Sequence, residues 1–158
     1  MRQLIVYYSL DGDTEFVARE LQKETGAELL RLQPKKEYPK NGAKKFLVGG
    51  MHALLGTGCE LVPCSVDLSR YDCILLGCPV WAGRLASPMQ QFLKEHPFQG
   101  KRVKLFLCHG DEKDEKPMAR FKKALSGNTV IADIAFVNPR KKQGGVPKEG
   151  LMQFVNAH

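Results

Sequence analysis

The fold is decided by one stretch near the N-terminus, Leu4-Ile5-Val6-Tyr7-Tyr8-Ser9-Leu10-Asp11-Gly12-Asp13-Thr14-Glu15-Phe16-Val17. Its apolar first half is rich in Ile, Val and Tyr without polar alternation, which is typical of a strand buried on both faces of a parallel sheet. A small polar loop follows, and residues at helical spacing come after it. The stretch therefore predicts a strand, a turn and a helix.

The loop from Ser9 to Thr14 is suited to binding an anion such as a phosphate. The first amides of a helix have no intrahelical partner, and the helix dipole adds partial positive charge there. Ser9 and Thr14 add hydroxyl donors, and Gly12 allows a positive φ and close approach of a ligand. The loop alone leaves two interpretations open, a phosphate site or an ordinary connection whose polar residues cap the helix.

Strands and helices are predicted to alternate along the rest of the chain. Gly49 and Gly50, inside the second helix, indicate a tight packing point or a kink. Ser87 and Pro88 are predicted as the N-cap and first residue of the third helix. Because crossovers between parallel strands are right-handed, this order predicts a doubly wound α/β sheet of five parallel strands. The further strands are expected at 28–32, 73–77, 103–108 and 128–137, and the helices at 14–23, 43–55, 87–93, 117–125 and 147–156.

Length and composition favour one cytoplasmic domain spanning residues 1–158. No run approaches the roughly 18 apolar residues of a membrane span, and no leader pattern opens the chain, so we expect no membrane association. The cysteines are odd in number and have no CxxC spacing, which indicates buried free thiols rather than ligands or nucleophiles. The four histidines are scattered, so we expect no metal site. The cysteines are Cys59, Cys64, Cys73, Cys78 and Cys108.

The formal charge of +7 raises the question of a nucleic-acid partner. Basic residues cluster at 35–45, 101–104 and 140–142. They are interleaved with predicted helices and loops rather than with aromatic residues, so we interpret them mainly as solvated faces. We expect no nucleic-acid binding.

Two motifs that follow predicted strands are similar to motifs of one protein family. Ser9-Leu10-Asp11-Gly12-Asp13-Thr14 resembles the flavodoxin phosphate loop, usually Ser/Thr-x-Thr-Gly-x-Thr. Gly77-Cys78-Pro79-Val80-Trp81-Ala82-Gly83 resembles the Gly-x-Pro-x-Trp-x-Gly form of its second flavin loop. The resemblance covers nearly the whole chain. It implies the strand order 2-1-3-4-5, with FMN bound beyond the carboxyl ends of the first and third strands.

The resemblance implies which residues hold a noncovalently bound FMN. The phosphate is expected on Ser9, Gly12 and Thr14 and on the intervening amides, those of Leu10, Asp11 and Asp13. The second loop is expected along the isoalloxazine ring through Pro79, Val80, Trp81, Ala82 and Gly83. A third loop, with His109, Gly110 and Asp111, is expected along the other edge of the ring.

Two roles among these residues are open at this point. Trp81 is interpreted as the aromatic that stacks on the ring, and the alternative is an ordinary core tryptophan. His109 is either a neutral loop residue or a hydrogen-bond donor at the edge of the flavin.

The phosphate loop departs from the family pattern in its charge. Asp11 replaces the usual threonine, and Asp13 adds a second carboxylate. Two negative charges close to a phosphate weaken its binding unless they face solvent or cap the helix. We expect acidic residues around the cleft to lower the reduction potential of a bound flavin. These are Asp11, Asp13, Glu15, Asp111, Glu112, Asp114 and Glu115.

The resemblance implies an FMN-binding electron-transfer protein of the oxidoreductase class. A carrier that exchanges electrons with an unidentified redox protein, as a monomer or weak homodimer, is favoured over a stand-alone enzyme, and no catalytic side chain is expected. Two alternatives stay open. One is an NAD(P)H-dependent FMN or quinone reductase on the same scaffold, and the other is a flavin-free binding module that kept the fold.

Overall fold

The structure is a parallel sheet with helices on both faces, and a computed structural model describes residues 1–40, 42–56, 59–110, 114–141 and 146–158. The strands are β1 Gln3–Tyr7, β2 Glu28–Arg31, β3 Cys73–Trp81, β4 Arg84–Leu85, β5 Arg102–His109 and β6 Thr129–Val137. The helices are α1 Asp13–Thr25, α2 Gly42–Leu55, α3 Ser87–Glu95, α4 Lys116–Ala124 and α5 Lys148–Asn156. None of the described helices is long and apolar enough to span a membrane.

The order of the strands follows the expected flavodoxin pattern. Five strands are parallel neighbours in the order β2-β1-β3-β5-β6, which confirms the predicted order 2-1-3-4-5. The winding reverses between β1 and β3, so the loops after these two strands lie side by side. One strand was not predicted. The two-residue β4 pairs antiparallel with the end of β3.

The core lies on both faces of the sheet because alternate residues of each strand point to opposite sides. On one face, Ile5, Leu75 and Phe106 pack with residues of α1 and α5, including Leu21 and Phe154. On the other face, strand residues pack against residues of α3 and α4. The strand residues include Val6, Ile74, Leu76 and Leu105, and the helix residues include Met89, Phe92 and Phe121. The central strands are buried on both sides, as their unbroken apolar runs predict.

Several predicted element boundaries are corrected by the structure. Ser87 is the first residue of α3 rather than its N-cap, and Ala86 occupies the cap position without a side-chain hydrogen bond. The third strand does not end at Gly77 but continues to Trp81, because its last residues pair with β4. The first helix, expected to end near Lys23, ends at Thr25, where Gly26 caps it in the left-handed conformation.

The prediction of free, buried thiols is confirmed for four of the five cysteines. All five are free, and only Cys64 is half-buried. Burial raises the pKa of every one of these thiols, so none is prepared as a nucleophile at neutral pH.

Gly77 is required because the ring of Phe106 lies over it. The two residues are neighbours on paired strands, and Phe106 is fully buried. A Cβ atom added at Gly77 would overlap the aromatic ring. We therefore expect Gly77→Ala to lower the free energy of unfolding by about 3 kcal/mol, measured by urea denaturation.

A double-mutant cycle controls this prediction. In a Phe106→Ala background the ring is absent, so the added methyl group of Gly77→Ala should cost less than about 1 kcal/mol. An equal loss in both backgrounds would show that the clash with Phe106 is not the cause.

A lysine lies inside the core and fastens α5 to the sheet. Lys104, on β5, has only 2% of its surface exposed. Its Nζ donates a hydrogen bond of 2.6 Å to the carbonyl of Val155 in the last turn of α5, and it lies 5.9 Å from the ring centre of Phe154. Burial lowers the pKa of this amine from its usual 10.5, while Cys73 opposes and Arg102 reinforces the shift.

This lowered pKa predicts a pH dependence of stability. Between the lowered pKa and 10.5 the unfolded chain binds more protons at this amine than the folded protein does, so its contribution to stability rises as the pH increases through that window. In urea unfolding between about pH 8 and about pH 10, the stability of the unsubstituted protein relative to Lys104→Met should rise. The exposed Lys123→Met is the matched control and should show no such trend. The prediction would be contradicted if the difference in unfolding free energy between the unsubstituted protein and Lys104→Met stayed constant over this pH range.

Candidate functional site

A cleft of about 500 Å³ lies at the carboxyl edge of the sheet. Its volume is within the range of about 300–1,000 Å³ that is common for small-molecule sites. Three of its walls were predicted from sequence, and the loop after β6 was not. The lining residues are Ser9, Leu10, Asp11, Asp13, Thr14, Pro79, Val80, Trp81, Cys108, His109, Gly110, Asn138, Arg140 and Lys141.

The first wall is the loop between β1 and α1. The Gly12 amide donates a hydrogen bond of 3.1 Å to the Ser9 hydroxyl oxygen, which closes the turn. Gly12 adopts a φ of 96°, a conformation that side chains rarely tolerate, and it is also the N-cap of α1. No side chain caps the helix. The start of α1 therefore faces the cleft with its dipole and without a capping carboxylate.

An arginine from the far end of the chain pairs with the Asp13 carboxylate of this acidic loop. The Nε of Arg140 lies 2.8 Å from the Asp13 carboxylate, and its Nη2 donates a hydrogen bond to the Asp11 carbonyl. Arg140 belongs to a basic run expected mainly on a solvated face, and its side chain is indeed about half exposed, but its contact with Asp13 was not predicted. Local sequence could not reveal this contact, because the two partners are 127 residues apart.

A second group of arginines holds the acidic side of α1. The carboxylate of Glu15 forms ion pairs of 2.8 Å with Arg19 and 2.7 Å with Arg31. The hydrogen bond from Arg19 contributes most to holding the pKa of Glu15 below its usual value. Arg31 also donates a hydrogen bond of 3.3 Å to the Ser9 carbonyl. Asp13 and Glu15 are thus paired with cations, and the expected acidic field is reduced at both positions.

The second wall is a hairpin. Trp81 and Arg84 are paired residues of β3 and β4, and the two residues between them, Ala82 and Gly83, both have positive φ, 48° and 69°. Two such residues between antiparallel strands form the tight hairpin turn whose twist matches that of the strands. Pro79, Val80 and Trp81 line the cleft, whereas Ala82 and Gly83 shape the turn and do not line it.

Trp81 is held on three sides. Its ring meets those of Tyr8 and Tyr38 edge-on, with centroids 5.5 Å and 4.8 Å apart. Gly49 of α2 lies against it so closely that an added Cβ would be 3.3 Å from the indole. Gly49 is therefore the tight packing point that the sequence predicted. Trp81 both packs against the core and lines the cleft, so the two sequence interpretations are not exclusive.

The third wall joins the ends of β5 and β6. His109 is buried, and its carbonyl accepts a hydrogen bond of 3.0 Å from the amide of Asn138. The Asn138 side chain donates to the carbonyl of Gly110. Burial raises the pKa of the Cys108 thiol to about 12, so it stays protonated at neutral pH. Asp111, predicted for this wall, lies outside the described residues.

Comparisons with known proteins show solved structures of similar fold. No protein-family model matches the sequence. A putative flavoprotein from Bacteroides uniformis has a TM-score of 0.78, with 19% identity over 98% of this chain and 97% of that one. A flavoprotein from Lactobacillus acidophilus solved in complex with FMN has a TM-score of 0.74, with 24% identity over 85% and 92%. The two-electron reduced flavodoxin of Megasphaera elsdenii has a TM-score of 0.60, with 25% identity over 97% of each chain.

The chain has the flavodoxin-like fold. In sheets of this kind, ligands bind beyond the carboxyl ends of the strands where the winding reverses. The cleft lies at that position in the flavodoxin-like fold, with the β1 and β3 loops as two of its walls.

The two adjacent glycines of α2 provide a matched pair for testing how Trp81 is held. An added Cβ at Gly50 would make an ordinary 3.5 Å contact with Ala82, so Gly50→Ala should raise the free energy of unfolding by about 0.5–1 kcal/mol. Gly49→Ala should gain less or lose stability, because Trp81 must move. Urea unfolding and the emission spectrum of Trp81, the single tryptophan, measure both effects. The same stability and spectrum in both variants would contradict the prediction.

Proposed function

We propose that this protein binds FMN in the cleft at the carboxyl edge of the sheet and acts as an electron-transfer flavoprotein. The observation that carries the proposal is that one cleft is lined by both polar, anion-binding residues and apolar residues. One part of the lining is the β1 loop with its hydroxyl groups, and another part is the apolar surface of Pro79, Val80 and Trp81. FMN has the same two parts, a phosphate and a planar ring.

The residues present fit this ligand. At the anion-binding end, Ser9 and Thr14 supply hydroxyl groups, and the first turn of α1 has no capping side chain. Arg140 and Lys141 add positive charge there. The negative charge of Asp13, which argued against a phosphate site, is paired with Arg140. These features favour a flavin protein over a flavin-free binding module.

The side chains of the cleft would bind and orient the cofactor rather than react. FMN, when bound, supplies the redox chemistry. Trp81 and Pro79 would hold one side of the ring in an apolar surrounding, and His109 and Gly110 would lie along another edge. Cys108, the thiol in the lining, has a pKa of about 12 and is therefore a poor nucleophile at neutral pH. This chemistry supports a carrier that exchanges electrons through the cofactor.

We also propose that the physiological partner is another redox protein and that the chain works as a monomer or weak homodimer, as the flavodoxin resemblance implies. A cytoplasmic location is part of the proposal, supported by five free cysteines, since reducing compartments keep thiols unpaired.

An FMN titration of the protein freed of any flavin tests the proposal. We expect quenching of flavin emission and of Trp81 emission at the same stoichiometry. Trp81→Leu should weaken FMN binding about tenfold, because it removes aromatic contact with the ring. Phe98→Leu, a half-buried aromatic in a separate cleft, is the matched control and should leave affinity unchanged. Failure of the unsubstituted protein to bind FMN would overturn the proposal.

Steady-state oxidation of NADPH by the FMN-loaded protein distinguishes the carrier from a reductase. A carrier should show only slow NADPH oxidation with a quinone acceptor present. Rapid, saturable oxidation would instead assign the protein to the NAD(P)H-dependent quinone reductases.

A further inference from the structure

Arg140 brings a positive charge into the cleft beside the phosphate loop. It follows β6, far from the phosphate loop in sequence, yet it lines the same cleft and lies across the tip of that loop. Its Nη1 is so close to Gly12 that a Cβ atom added there would be 2.9 Å away. Gly12 therefore accommodates the guanidinium as well as the left-handed turn.

Arg140 is held in place by its own segment and by the loop. Asn138 adopts a φ of 45°, which asparagine tolerates better than most residues, and its carbonyl accepts a hydrogen bond of 3.0 Å from Lys141. This turn is tied to β5 by the hydrogen bond from the Asn138 amide to the His109 carbonyl. The backbone that carries Arg140 is thus fixed relative to the sheet, so ligand binding need not order it.

The guanidinium of Arg140 also has a nitrogen that can donate hydrogen bonds to a ligand. Nε is bound to the Asp13 carboxylate and Nη2 to the Asp11 carbonyl, while Nη1 has no hydrogen-bond partner among the described residues. A guanidinium held by two of its nitrogens can still offer the third to a phosphate oxygen. The Asp13 carboxylate fixes the orientation of the group, and about half of the Arg140 side chain remains exposed.

The charges of the site favour such a group. A phosphate monoester carries close to two negative charges at neutral pH, and the loop adds the carboxylates of Asp11 and Asp13. Arg140 and the adjacent Lys141 bring two positive charges to the same cleft. Without them, the acidic loop would repel a phosphate.

We propose that Arg140, oriented by Asp13, binds the phosphate of the ligand and makes this site selective for phosphorylated over unphosphorylated flavin. The inference rests on the proposed function and adds a specificity-determining residue to it. Asp13 is then a positioning residue, whose carboxylate holds the guanidinium over Gly12. The acidic loop and the distant arginine act as one binding unit.

Parallel titrations with FMN and with riboflavin test this inference, because the two ligands differ only in the phosphate. Arg140→Gln should weaken FMN binding about tenfold and change riboflavin binding less than twofold. It should also reduce the salt dependence of FMN affinity, since a screened charge pair is lost. Arg140→Lys keeps the charge but not the forked geometry, so its FMN affinity should lie between those of the unsubstituted protein and Arg140→Gln.

Arg2→Gln is the matched control. Arg2 forms a similar ion pair, 2.8 Å from the carboxylate of Glu28, but it lies at the opposite edge of the sheet. This variant should bind both ligands as the unsubstituted protein does. Thermal unfolding of all variants checks that each is folded.

Each other result overturns the inference in a recognisable way. Unchanged FMN affinity in Arg140→Gln would mean that the loop amides and hydroxyls hold the phosphate alone. Tighter FMN binding would mean that the guanidinium competes with the phosphate for the loop. An equal loss for FMN and riboflavin would indicate a general structural role. If the unsubstituted protein binds neither ligand, the proposed function fails as well.

Discussion

The site depends on the parallel pairing of β1 with β3. The two strands run in register from Gln3 opposite Cys73 to Tyr7 opposite Gly77, and the Tyr8 amide extends the ladder with a 3.1 Å hydrogen bond to the Gly77 carbonyl. β1 ends at this point, whereas β3 continues to Trp81, so the chain after Tyr8 leaves the sheet and a crevice opens between the two loops. Ser9 begins one wall and Pro79 the other. Gly77 of β3 has no side chain because the ring of Phe106, from the neighbouring strand β5, lies over it.

The second constraint is electrostatic. A loop with two carboxylates is an unusual place for a phosphate, and the fold compensates with arginines from two different strand ends. Arg31, at the end of β2, pairs with Glu15 and with the Ser9 carbonyl, and Arg140, after β6, pairs with Asp13. These pairs are partly exposed, so their contribution to folding stability is small. Their consequence is local, because they leave the mouth of the cleft less acidic than the loop sequence alone suggests.

Most of the architecture followed from local patterns in the sequence. The apolar runs of β1, β3 and β5 indicate buried strands, and Gly26 ends α1 because it can adopt the left-handed conformation. What the patterns could not indicate are contacts between residues far apart. Strand β4 has only two residues, too few for a periodic pattern. The turn before it is Ala82-Gly83 rather than the common Asn-Gly, so neither feature predicts the hairpin. Arg140 looked like part of a solvated basic run because its partner, Asp13, belongs to the first helix.

The Trp81 environment shows how one residue serves both fold and site. A tryptophan that only stacked on a ligand would be free to turn when the ligand left. Here Tyr8, Tyr38 and Gly49 contact its ring, and the hairpin behind it is closed by paired backbone hydrogen bonds. The conformational entropy of the indole is therefore lost during folding rather than on binding. The same reasoning applies to Arg140, which the turn at Asn138 and the Asp13 carboxylate hold in position. Both ends of the cleft are ordered by the protein itself, and a flat ring with an anionic tail can bind without reorganising either one.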